Sequence, residues 1–99
     1  MEEVIVARLN PTELKQEVYI MSSSVEKIPL VQKCNINELP SVIVMSAAKY
    51  NISNIKIAGP KAYSEGVRAQ VVEKINTCFD NNNEFTIELI KTEKEIKEL

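Results

Sequence analysis

Histidine and tryptophan are missing from this 99-residue chain, aspartate occurs once, at Asp80, and glycine twice, at Gly59 and Gly66. Each shortage removes a class of chemistry. Without histidine the commonest general base near neutral pH is gone, and no serine has a sequence neighbour able to activate it as a nucleophile. The two cysteines, Cys34 and Cys78, make no CxxC pair and have no histidine to complete a zinc site, so both are expected as reduced thiols in or near the core. A basic excess is lacking too: 12 Lys+Arg stand against 14 Asp+Glu, and only Arg8 and Arg68 are arginine. Binding to a phosphate backbone draws on several neutralised phosphates, so nucleic acid is a disfavoured partner.

Long apolar runs are absent as well. Stretches such as Val42 to Met45 fall far short of the ~20 residues that cross a bilayer, so no membrane partner is expected. The opening Met1-Glu2-Glu3 lacks the basic start and longer apolar segment of a secretory signal, and the expected location is the cytoplasm. A chain of this length supports one domain that buries roughly 60 to 70% of its unfolded surface. Residues 1–90 are expected to form a single α/β domain, followed by a charged tail at 91–99.

The pattern along the chain is short strands followed by a change of period. Glu3 to Leu9 is a β-branched run ended by the turn cluster Asn10-Pro11-Thr12, and Glu17 to Met21 is a second run that stops at Ser22-Ser23-Ser24. Lys27 to Ile36 is a third, and Pro29 assigns it to a sheet edge because proline cannot donate to a ladder. From Asn37 the apolar spacing becomes helical: Leu39, Val42, Ile43, Ser46, Ala47 and Tyr50 share one stripe. Asn37 is the expected N-cap of a helix over Glu38 to Tyr50, with Pro40 in its first turn and Asn51 as a left-handed stop.

Asn54 to Ala58 then reads as a fourth strand that passes through Gly59-Pro60 into a second helix, Lys61 to Phe79. There Tyr63, Val67, Val71, Ile75 and Phe79 recur every four residues. Asp80 to Asn83 breaks that helix, and Glu84 to Ile90 alternates apolar and polar residues as a fifth strand. The tail, Lys91 to Leu99, holds three Lys and three Glu and supports at most a short helix.

Strand, strand, strand, helix, strand, helix, strand is an order that resembles the core of the ribonuclease H-like fold, which also forms each half of actin-like ATPases. The likeness covers roughly residues 3–90 and implies a mixed five-stranded sheet of order 3-2-1-4-5, with strand two antiparallel and both helices on one face. Asn54 to Gly66 (NIKIAGPKAYSEG) also resembles small phage or prophage proteins of unknown function.

The enzymes of the ribonuclease H-like class imply an Asp in strand one and an acidic residue at the end of strand four, hard oxygen ligands for divalent metal. This chain has Ala7, Leu9 and Asn10 in the first place and Ala58 and Gly59 in the second. The reading is therefore of a protein that is not an enzyme and needs no metal or cofactor. Strand alternation puts Val4, Val6, Val18, Ile20, Ile55, Ile57, Phe85, Ile87 and Leu89 beneath the helices. Ile5, Ala7, Tyr19, Met21, Lys56, Ala58, Thr86, Glu88 and Ile90 then face the other way.

On that second face Ile5, Tyr19 and Met21 form a candidate patch for a protein partner, with a homodimer as the default because twofold closure is the commonest soluble assembly. The edge made by strand three or strand five is a second candidate, where another chain could add a strand. The competing reading is a degenerate ligand-binding domain. In it Gly59, Pro60, Lys61 and Tyr63 hold an anionic group or nucleotide at the strand-four to helix-two turn, although a tight turn alone explains Gly59-Pro60. Tyr63, Ser64 and Glu65 form a possible polar site at the same helix mouth.

Overall fold

A computed structural model describes residues 3–10, 12–22, 30–79 and 85–90. Their elements are β1 (Glu3–Arg8), β2 (Gln16–Ser22), β3 (Leu30–Cys34), α1 (Leu39–Tyr50), β4 (Asn54–Ala58), α2 (Lys61–Cys78) and β5 (Thr86–Ile90). The strands make one mixed sheet in the order β3-β2-β1-β4-β5. β2 runs antiparallel to β1 and β3, whereas β1, β4 and β5 are parallel. Parallel neighbours need crossovers, and α1 and α2 supply them on a single face of the sheet.

The core lies between that face and the helices. Ile5, Ala7, Val18, Ile55 and Ile57 from the sheet meet Leu39, Ile43 and Ala47 of α1 and Val67, Val71 and Ile75 of α2. One expected placement is reversed. Ile5 pairs with Ile20 and Ile55, so Ile5 and Ala7 point under the helices, and Val4 and Val6 point away. The first strand is apolar at four successive positions, Val4 to Ala7, so alternation could not set its phase; the ladder to β2 does.

The first helix begins differently from expectation. Glu38, not Asn37, is its N-cap, and no side chain caps the first turn; Glu38 instead accepts the Asn35 N–H at 3.3 Å. Pro40 sits in the first turn, and Asn51 ends α1 with φ 55° and ψ 49°, the left-handed stop that a short polar side chain tolerates. Tyr50, expected in the buried stripe, is exposed, with the Lys49 ammonium 5.3 Å from its ring centre.

In α2 the four-residue stripe drifts, because four steps of ~100° overshoot a full turn by ~40°. Val67, Val71 and Ile75 stay buried while Tyr63 rotates into solvent, and Ser64, seven residues before Val71, takes the inward place. Phe79 falls just past the helix in extended geometry and packs on Phe85, ring centres 4.8 Å apart.

The turn from β4 to α2 depends on a close approach. A Cβ built on Gly59 would stand 2.8 Å from the Leu9 Cβ and 3.2 Å from the Leu9 carbonyl oxygen. Gly59→Ala is expected to lower stability by about 1–3 kcal/mol, as overpacking does, with a matching fall in the denaturant midpoint. Alanine at Gly66, where nothing lies within 4 Å of the same position, is the control that leaves the midpoint unchanged or raised.

Candidate functional site

The loop between β1 and β2 is fixed from inside by one side chain. Gln16 opens β2 and is buried; its Oε1 accepts the Asn10 N–H at 2.5 Å, and its Nε2 donates to the carbonyls of Asn10 at 3.1 Å and Glu13 at 3.2 Å. Asn10 Oδ1 in turn accepts the Thr12 N–H at 3.1 Å and the Thr12 hydroxyl at 2.7 Å. A buried primary amide has two donors and an acceptor oxygen to satisfy, and the loop backbone meets that demand. The β-branched run starts at Glu17, so the sequence places the strand one residue later than it begins, at Gln16.

The pinned loop holds Leu14 out in water, 92% exposed. Beside it lies a groove of about 570 Å³. Its floor carries a row of alternating charge, because Arg8 pairs with Glu17 across β1 and β2, and Glu17 with Lys33 across β2 and β3. The loop adds Glu13 and Lys15 to its wall. Three cations and two carboxylates share the groove, so its electrostatic character is mixed.

The other candidate residues are placed apart from this groove. Tyr19 and Met21 stay on the sheet face away from the helices with Val4, Val6 and Ile90, but Ile5 is buried on the opposite side and cannot join them. Gly59, Pro60, Lys61 and Tyr63 stand together at the start of α2, where no side chain caps the helix. The Gly59 N–H is already given to the Ile90 carbonyl at 3.3 Å. Ser64 turns inward and back-bonds to the carbonyls of Pro60 at 3.0 Å and Lys61 at 3.2 Å, while Tyr63 and Glu65 are exposed. The polar trio does not converge.

The ends of β1 and β4 meet through the Leu9 N–H and the Ala58 carbonyl, 2.8 Å apart. Among the described residues no three His, Cys, Asp or Glu side chains gather as a metal site, and no helix is long and apolar enough to cross a membrane. On the β5 edge, Thr86 and Ile90 bond inward towards β4, which leaves the Ile87 carbonyl facing outward; the Arg68 Nε–H donates to it at 3.4 Å. That contact occupies part of the edge where an added strand would bind.

The cysteines separate. Cys34 is buried, and Cys78, expected in or near the core, is exposed at the end of α2. Burial, reinforced by the Glu38 carboxylate, pushes the Cys34 thiol above its ordinary pKa. No protein-family model and no curated protein matches the chain.

Two outcomes follow from this geometry. Gln16→Ala strands the Asn10 N–H and two loop carbonyls, so it is expected to cost about 1–3 kcal/mol and to accelerate hydrogen exchange at Asn10. With a thiol-specific reagent at neutral pH, Cys78 is expected to react at once and Cys34 only after unfolding, as read by mass spectrometry of the digested protein. The contribution of the neutral Cys34 thiol to stability is complete below the unfolded thiol's pKa and is lost as pH rises through the folded one.

Proposed function

We propose that this chain is a small, non-catalytic cytoplasmic module that works by protein association, with a second copy of itself as the partner. Leu14 is the observation that carries the reading. A large apolar side chain held in water by a preorganised loop loses little entropy on docking, which is how rigid surfaces gain affinity. The surrounding charges allow a like partner: with a twofold axis between Glu17 and one neighbouring cation, Glu17 and that cation each face the other's copy with opposite sign, and the third charge of the Lys33-Glu17-Arg8 row overhangs. A free anion would meet the Glu13 and Glu17 carboxylates beside the three cations, a mixed lining that offers it no concentrated positive site.

The strand order with an antiparallel β2 is compatible with the ribonuclease H-like core, and we read the fold as that core turned to binding, in a chain that resembles phage-encoded proteins at 54–66. Sedimentation or light scattering over a concentration series tests association. The expected result is a dimer whose dissociation constant rises at least tenfold in Leu14→Asp and also in Glu17→Lys. At concentrations where both proteins are monomeric, thermal stability should be unchanged in the first variant, because Leu14 contributes almost nothing to the core. A monomer at every concentration reached would end the homodimer reading.

A further inference from the structure

β5 ends the sheet on one side, and among the described residues no further strand pairs with its outer rim. In the parallel ladder to β4, Thr86 donates to the Ser53 carbonyl and Ile90 accepts the Gly59 N–H, so the even-numbered residues bond inward. The N–H and C=O groups of Ile87 and Leu89 therefore point out of the sheet. Such a row is a template for another strand. Beside it stands one row of α2, Arg68, Val72 and Asn76, four residues apart, and together with Ile75, Phe85 and Ile87 these side chains line a cleft of about 220 Å³.

The cleft has an apolar end and a charged one. Val72 and Phe85 are half-buried and Ile75 is buried, whereas Arg68 is exposed and its Nε–H reaches the Ile87 carbonyl at 3.4 Å, longer than an ordinary hydrogen bond. Among the described residues no carboxylate pairs with Arg68. Glu88, next to Ile87 on β5, lies on the opposite face of the sheet and is paired with Lys56.

We infer that the β5 edge takes an extended segment of another protein, antiparallel to β5, in which a carboxylate stands two residues before a large apolar side chain. Backbone groups set the form of this ligand, since an added strand answers the N–H and C=O of Ile87 and Leu89 and its own N–H takes the Ile87 carbonyl from Arg68. The released guanidinium is then left to bind an anion. Residues two apart on a strand share a face at about 7 Å, which sets a carboxylate at Arg68 and an apolar group at Val72 and Phe85.

A second copy of the chain fits this edge less well. Its helix-side residues here are Phe85, Ile87 and Leu89, which bring no carboxylate, and joining two β5 edges about Ile87 would set one Arg68 against the other. The site is also separate from the Leu14 groove, to which β1, β2 and β3 contribute Arg8, Glu17 and Lys33.

The test titrates the isotope-labelled full chain with two peptides, acetyl-TETFTVT-amide and acetyl-TKTFTVT-amide, and follows amide shifts and hydrogen exchange. The glutamate peptide is expected to bind at least tenfold more tightly than the lysine peptide and to slow exchange of the Ile87 and Leu89 N–H groups. In Arg68→Glu, which changes an exposed side chain, the preference is expected to reverse. Leu14→Asp should bind the glutamate peptide as the unaltered protein does, so failure of the self-association reading and failure of this one are read separately. The inference is overturned if neither peptide binds up to about 1 mM, if the lysine peptide binds as well or better, or if Arg68→Glu keeps the original preference. Perturbed amides around Leu14 instead of β5 and α2 would overturn it too, as would slow exchange at Ile87 and Leu89 brought on by protein concentration alone, which would make a second copy the occupant.

Discussion

The fold rests on β1 being apolar on both sides and lying third of five strands. A strand buried on both faces reads as a continuous hydrophobic run, and Val4, Ile5, Val6 and Ala7 are such a run. Its odd-numbered residues hold the helix layer and its even-numbered ones anchor the smaller cluster around Tyr19. Every other strand takes its register from this one, directly or through one neighbour. A shift of one residue in the β1–β2 ladder would exchange Ile5 for Val6 beneath the helices and bring Lys56 or Glu17 into conflict with the core.

The same constraint explains where polar chemistry is allowed. With both faces of the central strand committed to burial, side chains free to act lie at strand ends and in loops. At the end where β1 stops, the chain has to turn back into β2, and Gln16 satisfies the loop backbone from beneath. The loop is rigid because its polar groups are answered inside, which leaves its apolar residue, Leu14, nowhere to go but out. At the corresponding end of β4 the chain instead passes through Gly59, pressed against Leu9, and its N–H is used within the sheet. The two neighbouring ends thus differ: one presents a side chain, the other is closed by backbone.

Much of this was legible in the residues. Element order, the edge position of the third strand and the Asn51 stop follow from local rules: periodicity, proline's missing donor and the tolerance of asparagine for left-handed backbone; the mixed sheet order is what the ribonuclease H-like resemblance implies. What could not be read depended on how side chains are placed in space, near in sequence as well as far. The phase of β1 needed its ladder, the exposure of Tyr63 needed the drift of a four-residue repeat around a real helix, and the role of Gln16 needed the loop that it fastens. Ser64 is the same case, a polar residue read as part of a helix-mouth site that instead satisfies itself on the preceding turn and packs inward.

These placements also separate the patch first considered for binding from the Leu14 loop, which the sequence did not single out. The patch of Ile5, Tyr19 and Met21 required three apolar residues on one exposed face; one lies under the helices and Tyr19 is almost wholly hidden, so the apolar area left for a partner there is small. Exposed apolar groups drive association only when they can be removed from water, and Leu14 has nearly all of its surface to give while Tyr19 has almost none. In the association proposed above, the hydrophobic gain of docking would come from the loop, and the charges in the groove would act on orientation and partner choice more than on affinity, since exposed ion pairs are individually weak.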